Sequence, residues 1–433
     1  MYSTKELRDR VDWLELQITN AALRGTDLVP NEEDLALIEC YARELYDLSD
    51  GRNEVVFDKL GRPNIVVNIW CDEKATLNYL SGGSNTYFDV PSYPSGTANR
   101  ALHPAFIVGD NAVRGIRVGK YKDVRVNGKN YHVSLYGLPP AYGSGGFTES
   151  YDGLAAECDR INAGTYEGGV HAGNITRAIF SYLGLLSVTE GFACRGADYY
   201  CHSAQKTDEW GEPCGYLYNG QYIHVLTGSG PNSWRHDGTP FGIWGLKGPT
   251  YEILHGYITD GGVILTVDNN DAAEMTAAEL NTATSEAYKA TLMDGTRVAR
   301  DSEEEGETAK MCYDYTADPG EAAASKTFVL ANSFQFRQTN NNPYGAVSTA
   351  SMAAREGVDI PLLFRLLLIA PLKTDTPSGT TYMRNTLDAI RVALGGSCWN
   401  GGATASFGQF YGNDWTPTGS YSIGSGRFVS IIK

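Results

Sequence analysis

The sequence predicts an α+β protein in which loops outweigh regular structure, and three observations lead there. The 433-residue chain carries 49 glycines and 27 tyrosines, a composition that suits turns and short elements better than long helices. Its first fifty residues have helical periodicity, which then gives way to short β-type runs separated by turn residues. The hydrophobic fraction, 42%, is still that of a chain with a sizeable core.

Residues 3–25 read as a helix, because Ser3 and Glu6 have capping-box spacing and Leu7, Val11, Leu14, Ile18 and Ala21 recur at steps of four and three. A seam this short fits either a helix packed on its own domain or a stalk for oligomerisation or docking. A second helix starts at Asn31, puts Leu35, Ile38, Ala42 and Leu45 on one face, and ends before Asp50-Gly51. Strands are expected at 64–70, 106–108, 116–118 and 131–135, with Asn127-Gly128 as a hairpin turn. Two further helices span about 150–162, with Leu154, Cys158 and Ile161 inward, and about 174–186, with Ile175, Ile179, Tyr182 and Leu186 as the buried stripe. Short strands follow at 241–244 and 263–267. Residues 272–325, with an acidic run at 301–307, read as a surface insertion, and 361–369 as a short buried helix or strand.

Charge and motif content exclude several functions. The balance of 51 acidic against 35 basic residues, a net −16, argues against a nucleic-acid partner. The longest apolar run, 360–371, is too short to cross a bilayer, so no membrane insertion is expected, and residues 1–20 are charged and amphipathic rather than an apolar leader. The eight cysteines lack tight spacing. Cys194, Cys201, His202 and Cys214 do not have the separation of zinc ligand pairs, so free thiols made in a reducing cytosol are expected. There is no nucleophile elbow, HExxH or phosphate-binding loop. His236-Asp237 beside Trp234 reads as a hydrogen-bonded loop, and Asp268-Asn-Asn-Asp271 as an Asx-rich turn in preference to a calcium site. Neither a catalytic residue, a cofactor nor a metal is expected.

The richest signal lies at the carboxy terminus. Between 395 and 426 stand nine glycines, one charge (Asp414) and six aromatics: Trp399, Phe407, Phe410, Tyr411, Trp415 and Tyr421. Rings set among Ser, Thr, Asn and Gly are how binding surfaces are built. Phe407 and Phe410 are expected to pack inward, and Trp415 and Tyr421 to face water.

Several blocks, in order, resemble one family: His103-Pro-Ala-Phe-Ile-Val108, Gly119-Lys-Tyr121, Thr239-Pro-Phe-Gly-Ile-Trp-Gly-Leu-Lys-Gly248, Asp268-Asn-Asn-Asp-Ala272, Tyr382-Met-Arg-Asn385 and Leu394-Gly-Gly-Ser397 with its aromatic tail. They resemble phage proteins with a C-type lectin fold related to the formylglycine-generating-enzyme family, among them the variable proteins of diversity-generating retroelements. The likeness covers about 100–433. It implies a C-type lectin-like domain with long loops over 116–433, preceded by a small β-rich region at 52–115 and a helical oligomerisation or docking segment at 1–51. It also implies a ligand surface at about 395–428, formed by Cys398, Trp399, Asn400, Thr404, Ser406, Gln409, Tyr411, Asn413, Asp414, Trp415, Thr418, Ser420 and Tyr421. Gly395, Gly396, Gly401, Gly402, Phe407 and Gly426-Arg427-Phe428 match the scaffold of the pattern.

The sequence also departs from the family. Cys398 intervenes after Gly-Gly-Ser, where an aromatic is usual, and Gly248-Pro-Thr-Tyr-Glu-Ile253 replaces a Gly-Asn-Val-Trp-Glu-Trp block. The second thiol of the oxidising enzymes and the calcium triplets of sugar-binding lectins are missing. The resemblance therefore implies a phage tail or virion receptor-binding protein, made in the host cytoplasm. Its partners would be a bacterial surface protein or glycan and other virion proteins met through the N-terminal segment, with a trimer as the favoured homo-oligomer. The alternatives are a virion structural or decoration protein and an enzyme of the formylglycine-generating type.

Overall fold

The computed structural model describes residues 3–81, 101–303, 309–317, 327–336, 345–374, 379–387, 389–402, 407, 410–412 and 415–433. Both N-terminal helices form where the caps place them. In Thr4–Arg24 the Ser3 hydroxyl accepts the Glu6 amide while the Glu6 carboxylate accepts the Ser3 amide. Glu32–Leu48 begins at Asn31, whose side chain accepts the Asp34 amide at 2.9 Å. The seam residues Val11, Leu14, Ile18 and Ala21 are buried in one cluster with Ile38, Leu45, Ile65, Tyr121 and Trp244.

That packing corrects the stalk expectation, because the stripe is consumed inside the subunit and a trimer built on it loses its basis. Glu15 fixes the same helix from the polar side. It is fully buried and accepts Lys120 Nζ at 2.6 Å and the Tyr121 hydroxyl. Lys120 Nζ also donates to Asn53 Oδ1 and to the Pro240 carbonyl.

Two sheets organise the rest. The first is antiparallel, in the order Asn53–Phe57, Pro63–Trp70, Gly115–Gly119, Phe428–Ile432, Gly173–Asn174. The boundary expected at 115/116 thus falls inside a strand that pairs on one side with Pro63–Trp70 and on the other with the last strand of the chain. Residues 52–115 are not a separate β region; they share a sheet with the C terminus.

The second sheet is built on Tyr251–Asp260, a ten-residue strand buried along nearly its whole length. Val263–Thr266 and Ile390–Gly395 flank it antiparallel. Lys289–Thr291 and Arg297–Ala299 extend one side, and Phe410–Gly412, Thr380–Met383 and Gly345–Ser348 the other. Cys312–Tyr315, wholly buried, joins Val263–Thr266 and Phe328–Ala331. The stretch 272–325 is therefore part of the sheet rather than a surface insertion, since its described residues supply three strands to it.

Helices Tyr151–Asn162 and Arg177–Thr189 start at Ser150 and Thr176, each hydroxyl accepting an amide of the first turn. The second starts three residues later than expected, because Gly173 and Asn174 pair with the C-terminal strand. It packs on Tyr251–Asp260 and on the short helix Leu362–Leu366. The strand expected at 241–244 is a loop held by a single bridge, Arg235↔Trp244. The Asn127-Gly128 hairpin forms as expected, with both residues at positive φ. With 23% helix, 29% strand and almost entirely antiparallel ladders, the class is α+β. Among the described residues no helix is long and apolar enough to cross a membrane.

Candidate functional site: an aromatic face around the C-terminal segment

The C-terminal segment is stitched into the second sheet at several points. Gly395 pairs with Glu252, and Phe410–Gly412 runs antiparallel to 394–395 and parallel to Thr380–Met383. Gly424–Ser425 pairs parallel with Tyr251–Glu252. Between these anchors the Trp415 carbonyl accepts the Val392 amide and the Ile423 carbonyl accepts the Tyr251 amide.

This stitching decides which expected ligand residues reach water. Trp399 is buried, its ring lying between Tyr200 at 4.8 Å and Tyr218 at 5.1 Å. Cys398 is buried beside it, its thiol donates to Asn400 Oδ1, and burial pushes that thiol up to about 11. Trp415 is only 1% exposed, against the expectation that it faces solvent. The reason is local, since a Cβ at position 424 would sit 2.3 Å from Trp415 Cη2, so Gly424 makes the room that the indole fills. Cys398, Trp399 and Trp415 are therefore corrected from displayed to packed.

Tyr411 is half-buried against Tyr251 and Tyr382, and Ser420 is also half-buried. Asn400, Thr418 and Tyr421 are exposed; Tyr421 is 48% accessible, with its ring 5.0 Å from Trp415. Phe407 packs inward on Phe180 as expected. Thr404, Ser406, Gln409, Asn413, Asp414 and the Phe410 side chain lie outside the described residues. A cleft of about 480 Å3 opens between Tyr411, Trp415, Tyr421 and the Arg384 and Arg391 side chains.

The larger exposed aromatic area lies beside this segment. The hairpin Pro213–Tyr218/Gln221–Val225 turns at Asn219-Gly220, both at positive φ, and leaves Tyr216, Leu217, Tyr218 and Tyr222 exposed. A two-stranded hairpin is marginal alone in water. Here it docks on the C-terminal segment at both ends, beside the turn through Trp399–Tyr218 and near the base through His224, whose Nε2 meets the Ser422 carbonyl at 2.7 Å. Tyr142 packs on both Tyr216 and His224, and the Gly143 amide donates to the Tyr421 carbonyl. Tyr142 and Gly143 thus link the hairpin to Tyr421. Asn219-Gly220 is a turn signal as clear as Asn127-Gly128, but Tyr216-Leu-Tyr218 before it is a continuous apolar run without the alternation that marks a half-buried strand.

Next to the hairpin, Tyr200 and Cys201 both take positive φ, 41° and 69°. Each such non-glycine residue costs about 1–2 kcal/mol. The strain is held by the Tyr200 amide donating to the Trp399 carbonyl and by the Cys201 thiol donating to the carbonyls of Tyr222 and His224.

The other candidate clusters are structural. His236 Nδ1 accepts the Ile243 amide, and Asp237 pairs with Arg52 and caps Thr239. Asp268 pairs with Lys289 and Arg297, Asn270 is buried on Thr176 and Ala105, and Asp271 accepts the Gly109 amide, as in an Asx-rich turn. Among the described residues no group of three or more His, Cys, Asp or Glu side chains is placed to hold a metal ion. None of the eight cysteines forms a disulfide.

His224 makes the docking of the hairpin acid-sensitive. Burial lowers its pKa to about 4, outweighing the Ser422 carbonyl, and its buried Nδ1 has no hydrogen-bond partner to receive a proton's donation. The folded pKa lies below the unfolded one near 6.5, so this contribution is present above pH 6.5 and is lost as pH falls toward about 4. Protonation would cost about 3 kcal/mol. Melting temperatures at pH 7 and pH 4 should fall further for the parent than for His224→Gln, since His103 and His255, also lowered by burial, are common to both. Equal falls would remove His224 as the acid-labile contact.

No protein-family model matches the chain, and no curated protein matches it in sequence.

Proposed function

We propose that this chain is a receptor-binding protein of a phage particle, made in the host cytoplasm, that adheres to the bacterial surface. In this reading the scaffold is C-type lectin-like, and the protein binds rather than catalyses. The observation that carries it is the group of exposed side chains that the hairpin and the C-terminal segment bring into one region, Tyr216, Leu217, Tyr218, Tyr222 and Tyr421, together with exposed Asn400 and Thr418. Exposed rings gathered in one region of a surface mark interaction sites. Anchoring on the buried Trp399 and Trp415 keeps them in place, which limits the ordering cost of binding. The contact set proposed thus shifts from the C-terminal segment alone to that segment with the adjoining hairpin. Trp13, Leu16 and Leu23, exposed on the outside of the first helix, are the surface offered to other virion proteins. Affinity per copy is modest, and several copies on one particle bind by avidity.

The test is adhesion of the labelled full chain to a panel of bacterial strains. Tyr218→Ala combined with Tyr421→Ala should weaken binding to a recognised strain by roughly tenfold or more, while cooperative unfolding is retained with a loss of only about 1 kcal/mol. Undiminished adhesion of the double variant, or adhesion to no strain when the chain is displayed in many copies, would reject the reading.

A further inference from the structure

We propose that the cleft between the 199–210 loop and the hairpin is a carbohydrate subsite for a neutral pyranose unit. The assignment rests on the receptor-binding reading and gives part of that receptor a chemistry. Its core is a row of three rings. Tyr199 bridges His202, and His202 bridges Trp210, both antiparallel. Directly opposed residues of an antiparallel pair share a face, so the three rings stand side by side. The Tyr199 and Trp210 rings lie 5.3 and 4.6 Å from the ring of His202.

The row is preorganised. Its turn is the strained Tyr200-Cys201 pair, pinned from behind by Trp399 and by the Tyr222 and His224 carbonyls. Yet Trp210 is 56% and Tyr199 47% exposed, and Tyr222 of the hairpin, 46% exposed, forms the opposite wall. Together they enclose about 390 Å3, within the ~300–1,000 Å3 of small-ligand sites.

The chemistry of the lining selects the ligand. A pyranose ring has one face of C–H groups, which the electron-rich face of an indole or phenol attracts, and a rim of hydroxyls. For that rim the cleft offers the Gln221 amide and the ring of His202, whose Nδ1 is engaged with the Ser203 carbonyl, leaving Nε2 as an acceptor. Among the described residues no Lys, Arg, Asp or Glu lines the cleft, so the described lining offers a phosphate, carboxylate or ammonium group no counter-charge. A neutral sugar needs none. Proline-rich peptides also dock on aromatic grooves, so such a peptide is the competing ligand in the test.

The test uses the folded full chain and three neutral tetrasaccharides (cello-, malto- and N-acetylglucosamine-based), with a proline-rich decapeptide as comparator. Binding is followed by saturation-transfer NMR and by tryptophan fluorescence. At least one sugar should bind saturably and independently of salt. Trp210→Ala and Tyr199→Ala should each weaken it roughly tenfold or more, and Trp210→Phe by less, with far-UV circular dichroism and cooperative unfolding retained. The proposal falls if no sugar binds, if only the peptide binds, or if Trp210→Ala and Tyr199→Ala both leave sugar affinity unchanged. Adhesion to bacteria without sugar binding overturns the subsite alone. Sugar binding without adhesion supports the subsite and rejects the receptor-binding role.

Discussion

Glu252→Gln is expected to lower the free energy of unfolding by about 3–5 kcal/mol, although it changes one atom. Glu252 is fully buried, and one of its carboxylate oxygens accepts Lys122 Nζ at 2.6 Å and Arg427 Nη2 and Nε at 2.6 and 3.1 Å. Arg427 spends its other donors on the carbonyls of Gly119 and Trp244. One carboxylate therefore serves two buried cations at the junction of both sheets, where Glu252 pairs with Gly395 on one side and Ser425 on the other. Burial already presses Lys122 down to about 8, so without its counter-charge it would become neutral. Arg427 cannot lose its proton and would be stranded. Lys122→Met should cost less, because it leaves a one-to-one pair of Glu252 and Arg427. Urea denaturation midpoints of the two variants give the comparison; a glutamine variant within about 1 kcal/mol of the parent would mean that the cluster is not electrostatically coupled.

Local signals in the sequence were reliable where the chain decides alone. The Ser3/Glu6 box, the Asn31 and Ser150 starts and the Asn127-Gly128 turn depend on hydrogen bonds within a few residues, and each forms. Signals that need a partner were legible only in part. The stripe Val11, Leu14, Ile18, Ala21 announces that something covers it, but periodicity is the same whether the cover is a second subunit or Ile65 and Trp244 of the same chain. The buried Glu15 in that helix was the clue, since an isolated stalk has no Lys120 to receive it. The strand Tyr251–Asp260 lacked alternation because both its faces are covered. At the candidate site, composition located the segment but could not sort its rings. Trp399 and Tyr421 sit in equally glycine-rich surroundings, and only contacts from residues 200 and 218 bury the first and not the second.

That sorting yields the second large effect. Trp415→Ala is expected to cost about 3–5 kcal/mol, as for a large ring removed from a close-packed site, and to abolish adhesion by disordering the segment that carries Tyr421. The indole fills the space left by Gly424, its ring backs Tyr421 at 5.0 Å, and its own carbonyl holds Val392 of the adjoining strand. Removing it takes the floor from under the exposed tyrosine. Tyr421→Ala, by contrast, removes a half-exposed ring and should change stability by about 0.5 kcal/mol while still weakening adhesion. Gly424→Ala should resemble Trp415→Ala, because the added methyl drives into the indole. Denaturation midpoints and adhesion assays on the three variants separate support from contact. If Trp415→Ala unfolds with the parent and loses adhesion alone, Trp415 touches the receptor directly and its burial is relieved on binding.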